Sequence, residues 1–271
     1  MEILFFGLTL LDITLLLLVG VVTGIMAGLF GIGGGAIVVP ALIPLFHSFN
    51  FPAELVVHMA IGSSLATIIF TSISAIYGHH QRQAVIWPIA LKMTPGILIG
   101  AWLGALIAST IDGFWLQRLF ALFLLFLSIK IAINQQSSQR YPLPNATALS
   151  FIGGGIGTLS SIVGIGGGTL TVPFLIGTGN PIQRAIATSS ACGLPIAIAG
   201  TMGYLINGWG VSNLPLASSG YIYWPAALII AFSSMLFAPT GVRLAHHLPA
   251  TTTKRLFALF LLLIGIKLML N

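Results

Sequence analysis

Between Ala185 and Val242 the chain carries no Asp, Glu, Lys or Arg, and the same holds from Ile13 to Ala53. About 20 apolar residues suffice to cross the hydrocarbon of a bilayer, so stretches of this kind belong inside a membrane. Charged residues make up 5% of the whole, where a soluble domain has about 25%. The apolar windows run continuously instead of alternating, which fits membrane helices and not a membrane β-barrel. The first apolar run follows Glu2 and lacks a basic leader. It is therefore expected to stay as a membrane segment, not to be cleaved as a signal peptide.

The formal net charge of +6 does not point to nucleic acid. Ten Lys and Arg among so many apolar residues form no basic face, and positive charge on short loops is the usual signature of membrane topology. The single cysteine, Cys192 in "SSACGLP", excludes an internal disulfide and a cysteine metal cluster. It reads as a small packing residue. No cofactor is expected. The pairs His79-His80 and His246-His247 are not expected to hold metal, because adjacent helical residues point apart and no carboxylate cluster accompanies them.

The chain repeats itself. "GIGGGAIVVP" (31–40) returns as "GIGGGTLTVP" (164–173), "AIGSS" (60–64) as "AIATS" (185–189), and Trp87-Pro88 as Trp224-Pro225. "RLFALFLL" at 118–125 returns at 255–262. The order is kept while the spacing drifts, so two halves, 1–139 and 140–271, form one membrane domain, joined near the polar "NQQSSQRYPLPN" (134–145). Five apolar segments are expected in each: 8–30, 33–46, 55–78, 85–108 and 115–134, then 146–163, 166–178, 184–206, 222–243 and 254–270. At 1.5 Å per residue, 33–46 and 166–178 are too short to cross about 30 Å of hydrocarbon upright. They read as half-helices in re-entrant loops or as arms of bent pairs.

Loop charge sets the orientation. Arg82, Lys130, Arg140, Arg184, Arg243, Lys254 and Arg255 mark the cytoplasmic side. Loop 47–54, turn 109–114 and the uncharged loop 207–221 lie outside. Corresponding loops of the halves thus fall on opposite sides, and five segments per half invert the second half relative to the first. Arg118 and Lys267 do not fit this pattern. The alternative is four spans per half in parallel orientation.

Broken backbone survives in lipid only where protein buries it or where it lines a cavity. A matched pair of glycine breaks in two inverted halves points to a transport site. A helix starting after each "GGG" offers free N–H groups and the positive end of its dipole to an anion, with no Lys or Arg needed. The alternative is close helix packing. The pattern at 31–36 resembles a dinucleotide fingerprint but lacks its βαβ context. Ser63, Ser64, Thr67 and Thr71, with Thr188, Ser189 and Ser190 in the other half, can donate to anion oxygens or simply bridge helices. His58 is a candidate proton carrier, or else a packing residue. Pro40 and Pro173 should set kinks. Trp87, Trp224, Tyr221 and Tyr223 read as interfacial anchors, and Asp12 as a cap or interface residue.

At these residues the chain resembles the TauE/SafE family of sulfite-exporter-like membrane permeases. The likeness spans nearly the whole chain. It rests on the two G-x-GGG-x-x-x-x-P motifs, on "AIGSSLA" and "AIATSSA", and on "PGILIGAWLG" (95–104). "APTGVRLA" (238–245) departs from the fuller proline-glycine pattern of the family. The resemblance implies an all-α polytopic protein of a bacterial or archaeal cytoplasmic membrane that moves sulfite, organosulfonates or related anions. It carries the substrate site onto Gly31, Gly33, Gly34, Gly35, Ser63, Ser64, Gly164, Gly166, Gly167, Gly168, Thr188 and Ser189. The expected partners are this small anion, the bilayer, a coupling proton or ion, and a second copy of the chain in a homo-oligomer. A passive anion channel is the first alternative. An intramembrane enzyme, resting only on His58 near Ser63, is the second.

Overall fold

A computed structural model describes residues 3–5, 8–31, 33–133, 141–247 and 250–270. Residues 134–140 of the expected linker lie outside the described residues, as do the side chains of His246, His247, Lys254 and Arg255. The helices are α1 Leu10–Phe30, α2 Gly35–Ser48, α3 Ala53–His80, α4 Trp87–Ser109, α5 Gly113–Ile133, α6 Ala146–Val163, α7 Gly168–Gly177, α8 Ile182–Asn207, α9 Trp224–His247 and α10 Ala250–Leu270. Each falls on one of the expected segments. Two short hairpins were not foreseen: β1 Ile3–Phe5 with β2 Leu8–Thr9, and β3 Ser218–Ser219 with β4 Ile222–Tyr223. Among the described residues seven helices are long and apolar enough to span a bilayer. The protein is an all-α polytopic membrane protein. With 14 and 10 residues, α2 and α7 reach only about 21 and 15 Å.

Of the most apolar windows, those of α3 and α8 are the most enclosed, 72% and 78% buried, so this pair forms the centre. Around it α1 packs on α9, α4 on α6, and α5 on α10. The first helix of either half thus lies against the fourth helix of the other. Glycines at four-residue spacing make these contacts close. A methyl at Gly24 would stand 2.3 Å from the Ser234 carbonyl oxygen, and one at Gly100 would stand 2.0 Å from that of Gly154. Backbone meets backbone there, so no side chain can yield. Gly100→Val is expected to destabilise the fold by about 1–3 kcal/mol, measured as earlier thermal loss of the monodisperse peak in detergent.

The structure gives Arg118 and Lys267 local roles. Arg118 donates to the Met269 carbonyl and Gln117 Nε2 to that of Leu268 at 3.2 Å. Lys267 stands in the last turn of α10. Both cations therefore sit at the negative end of the α10 dipole. Asp12 closes a capping box with Thr9 at the start of α1, as a cap role requires. The expectation for two tyrosines is corrected. Tyr221 and Tyr223 are 8% and 2% exposed, too enclosed to anchor in headgroups. Tyr223 packs edge-on against Phe46 and Phe51, and Tyr221 stacks on His58. The hairpin β3–β4 folds them inward.

Candidate anion site at the paired glycine breaks

Helix α1 ends at Gly31 and α6 at Gly164, with φ of 67° and 70°. These left-handed values favour glycine at both ends. After each break the next helix begins without a side-chain cap, α2 at Gly34 and α7 at Gly167. Thr9 caps α1 and Asn145 caps α6, whereas α3, α4 and α8 also begin without a side-chain cap. The helical ladder starts with the N–H groups of Ile37 and Val38 on the Gly34 carbonyl, and of Leu170 and Thr171 on that of Gly167. The N–H groups just ahead of them, at Gly35, Ala36, Gly168 and Thr169, lie outside that ladder.

The two breaks touch. A Cβ on Gly33 would lie 3.0 Å from the Gly166 Cα, and one on Gly35 would lie 2.1 Å from the Gly164 carbonyl oxygen. Residues 33–36 and 164–169 are all buried. The two breaks, from segments 133 positions apart (164 − 31), therefore adjoin inside the protein, with the start of α2 against the last carbonyl of α6. Among the described residues no Lys, Arg, Asp or Glu is buried. The local potential is set by backbone dipoles and hydroxyls, which favour negative charge at helix starts.

The expected hydroxyls are reciprocally engaged. Ser64 Oγ donates to the Gly164 carbonyl at 2.9 Å. Its counterpart Ser189 donates to the Ile186 carbonyl at 2.7 Å and reaches that of Gly31 at 3.2 Å. Ser63 Oγ accepts from the Tyr223 N–H, and Thr188 Oγ1 from the Ile86 N–H, both at 2.9 Å. Each central helix thus ties the last carbonyl of the opposite broken helix and the entry to the opposite fourth helix. A hydroxyl has one hydrogen to donate, and in this conformation Ser64 and Ser189 give theirs to the protein. Thr67 and Thr71 bond back to their own helix, and Thr71 also meets Ser234 at 2.6 Å. Ser190 likewise donates to the Ile186 carbonyl. Ser64→Ala leaves the buried Gly164 carbonyl without this donor, at an expected cost of about 1–3 kcal/mol, read as a lower thermal midpoint in detergent.

Other hydroxyls, not singled out from the sequence, are buried with no partner: Thr23, Ser160, Ser161, Thr169, Thr171, Thr201 and Ser218. Six of the seven belong to the second half. Thr171 Oγ1 lies 3.2 Å from where a Cβ on Gly167, the N-cap of α7, would sit. Thr23 lies against Gly34 through its methyl group. The signal was available in the repeat, since "GTLTVP" places Thr169 and Thr171 where "GAIVVP" has Ala36 and Val38. The two helix starts are therefore chemically unequal.

His58 and Ser63 share α3 but not a bond. His58 Nε2 meets the carbonyls of Ala108 and Ile111 at 3.1 and 3.0 Å, while Ser63 serves Tyr223. Among the described residues no cluster of His, Cys, Asp and Glu could hold a metal ion. Cys192 is buried in α8.

The family model described as Sulfite exporter TauE/SafE matches residues 16–268. A probable membrane transporter protein of Haemophilus influenzae is 36% identical over 96% of this chain and 98% of its own length. One from Methanocaldococcus jannaschii is 30% identical over 87% of each chain. One from Bacillus subtilis is 27% identical over 89% of this chain and 93% of its own. No solved structure matches.

Proposed function

Because the chain belongs to the sulfite exporter TauE/SafE family, we propose that this multi-pass membrane transporter is a secondary carrier of small sulfur-containing anions, sulfite or organosulfonates. The anion is held between the two glycine breaks. The single observation that carries the reading is their contact: two breaks that each lead into an uncapped helix start adjoin, and among the described residues no buried cation could do the same work. An oxyanion entering this place loses water and regains hydrogen bonds from the N–H groups of Gly35, Ala36, Gly168 and Thr169, and from Thr169 and Thr171 hydroxyls. Donors fixed in a buried site recover more of that cost than they would in water.

The halves 1–139 and 140–271 act as inverted repeats. The exchange of packing partners between them supports this, as do the crossed bonds of Ser64 with Gly164 and Ser189 with Gly31. The described conformation is the closed one, with the breaks in contact. Opening parts the crossed bonds and frees Ser64, whose hydrogen the Gly164 carbonyl holds, to donate to the anion. This is alternating access by rocking of one half on the other. The carrier works in the cytoplasmic membrane of a bacterium or archaeon and performs no chemistry on its substrate. His58 Nε2 is engaged by the Ala108 and Ile111 carbonyls and Ser63 by the Tyr223 N–H, structural roles that favour the carrier reading.

Purified protein in liposomes is expected to exchange labelled sulfite or a small alkylsulfonate across the bilayer, and to accumulate it against its gradient when a driving ion is supplied. Downhill flux alone would identify a channel. No flux of any sulfur oxyanion through folded protein would reject the reading.

A further inference from the structure

On the side that loop charge assigns to the exterior, a cavity of about 430 Å³ opens between the start of α3, the α4–α5 turn and Tyr221. Its lining includes Glu54, His58, Asp112 and Tyr221. Glu54 and Asp112 are two of only four acidic residues in the chain, gathered at one mouth of a protein with net positive charge. An acidic mouth repels the proposed anion, so this cavity is not a second anion site.

His58, 5% exposed, gives the mouth its character. Both partners of its Nε2 are carbonyl oxygens, so Nε2 must carry the proton and donate. The one basic position left on the ring is Nδ1, which is buried and has no partner. The two carbonyls belong to Ala108 in the last turn of α4 and to Ile111, two residues past its end, where the helix dipole is negative. Tyr221 stacks on the ring with centroids 5.1 Å apart, and burial raises its phenol above the ordinary value, so it stays neutral there. The facing titratable groups are thus Glu54 on the same helix, Asp112 from the turn and Tyr221 from the loop before α9. From α5, Phe114 lines the cavity, and Arg118 is held beyond it over the ring at 4.9 Å.

We infer that this cavity is a proton-loading site: Glu54 and Asp112 gather protons from outside and His58 takes one at Nδ1. His58 lies on α3, five and six residues before Ser63 and Ser64 (63 − 58 and 64 − 58). The helix that holds the proton is therefore the helix that ties the opposite break. Coupling to anion movement rests on the transport reading above, whereas the proton site itself does not.

The test separates the two. Protein labelled with ¹⁵N-histidine in nanodiscs, with His58→Gln assigning the signal, should show the Nε2–H tautomer at alkaline pH and a second proton on Nδ1 after acidification. Glu54→Gln and Asp112→Asn, both at exposed positions, should each lower the protonated fraction at a given pH, and the double variant most. A Nδ1–H tautomer, or a fraction unchanged in the double variant, overturns the site. In liposomes, acidifying the exterior should drive flux of an alkylsulfonate, whose own charge is constant in this range. His58→Gln should lose that drive and keep anion exchange. Drive retained in His58→Gln overturns the coupling, whereas absence of exchange in the unmodified protein counts against the transport reading alone.

Discussion

Gly35→Leu is expected to abolish anion uptake. The Cβ alone would stand 2.1 Å from the Gly164 carbonyl oxygen and 2.8 Å from the Ile165 Cα. Both are backbone atoms, so relief requires the start of α2 to move away from the break that ends α6. Overpacking of this kind costs about 1–3 kcal/mol for extra methylenes, and a leucine adds more bulk than that. At 1.4 kcal/mol per tenfold, even the upper part of this range removes about a hundredfold of the closed state. Gly155→Leu is the control. Gly155 is exposed with open space around its Cβ position, and the substitution should leave uptake near the unmodified level. Equal recovery of both variants from size exclusion shows that the loss belongs to the site. Full uptake by Gly35→Leu would mean that the contact between the breaks has no part in transport.

The second large effect is expected from Thr169→Val with Thr171→Val. Valine keeps nearly the shape of threonine and removes only the hydroxyl. Both hydroxyls are buried without a protein partner, so no protein hydrogen bond is lost, and thermal stability should hold or rise. A hydrogen bond to a charged group is worth about 1.5–3 kcal/mol. Losing two should weaken anion affinity by roughly a hundredfold or more, seen as a raised KM for labelled sulfite. A double variant with unchanged KM would place the anion away from the α7 start. Stability and affinity move in different directions here, a signature that a packing role does not share.

Much of this fold could be read from residue order. Hydropathy and the repeat located every helix within a few residues, and the matched glycine runs marked both breaks. What escaped depends on distant partners. Ser64 finds the Gly164 carbonyl across 100 positions, and nothing local says whether a hydroxyl faces an anion, its own helix or a neighbouring chain end. Arg118, an exception to the loop-charge pattern, serves the end of α10, a tertiary contact. Tyr221 and Tyr223 sit at a segment end, where aromatic anchors are usual, but a two-residue hairpin turns them inward. Gly20, Gly24 and Gly28, and likewise Gly96, Gly100 and Gly104, keep the four-residue spacing that packs membrane helices. That pattern was present in the letters, though the denser "GGG" runs outweighed it. Asp112 and Glu54 lie 58 positions apart (112 − 54), and only the fold brings them to the mouth that His58 shares.

The most direct test is to see the anion in place. Selenite, the heavier congener of sulfite, can be soaked into crystals and located by its anomalous signal, after uptake assays show that it competes with labelled sulfite. The account predicts a peak between residues 33–36 and 166–171, within hydrogen-bond reach of the two uncapped helix starts and the Thr169 and Thr171 hydroxyls. A competing anion found elsewhere, with the glycine breaks still in dry contact, would contradict it.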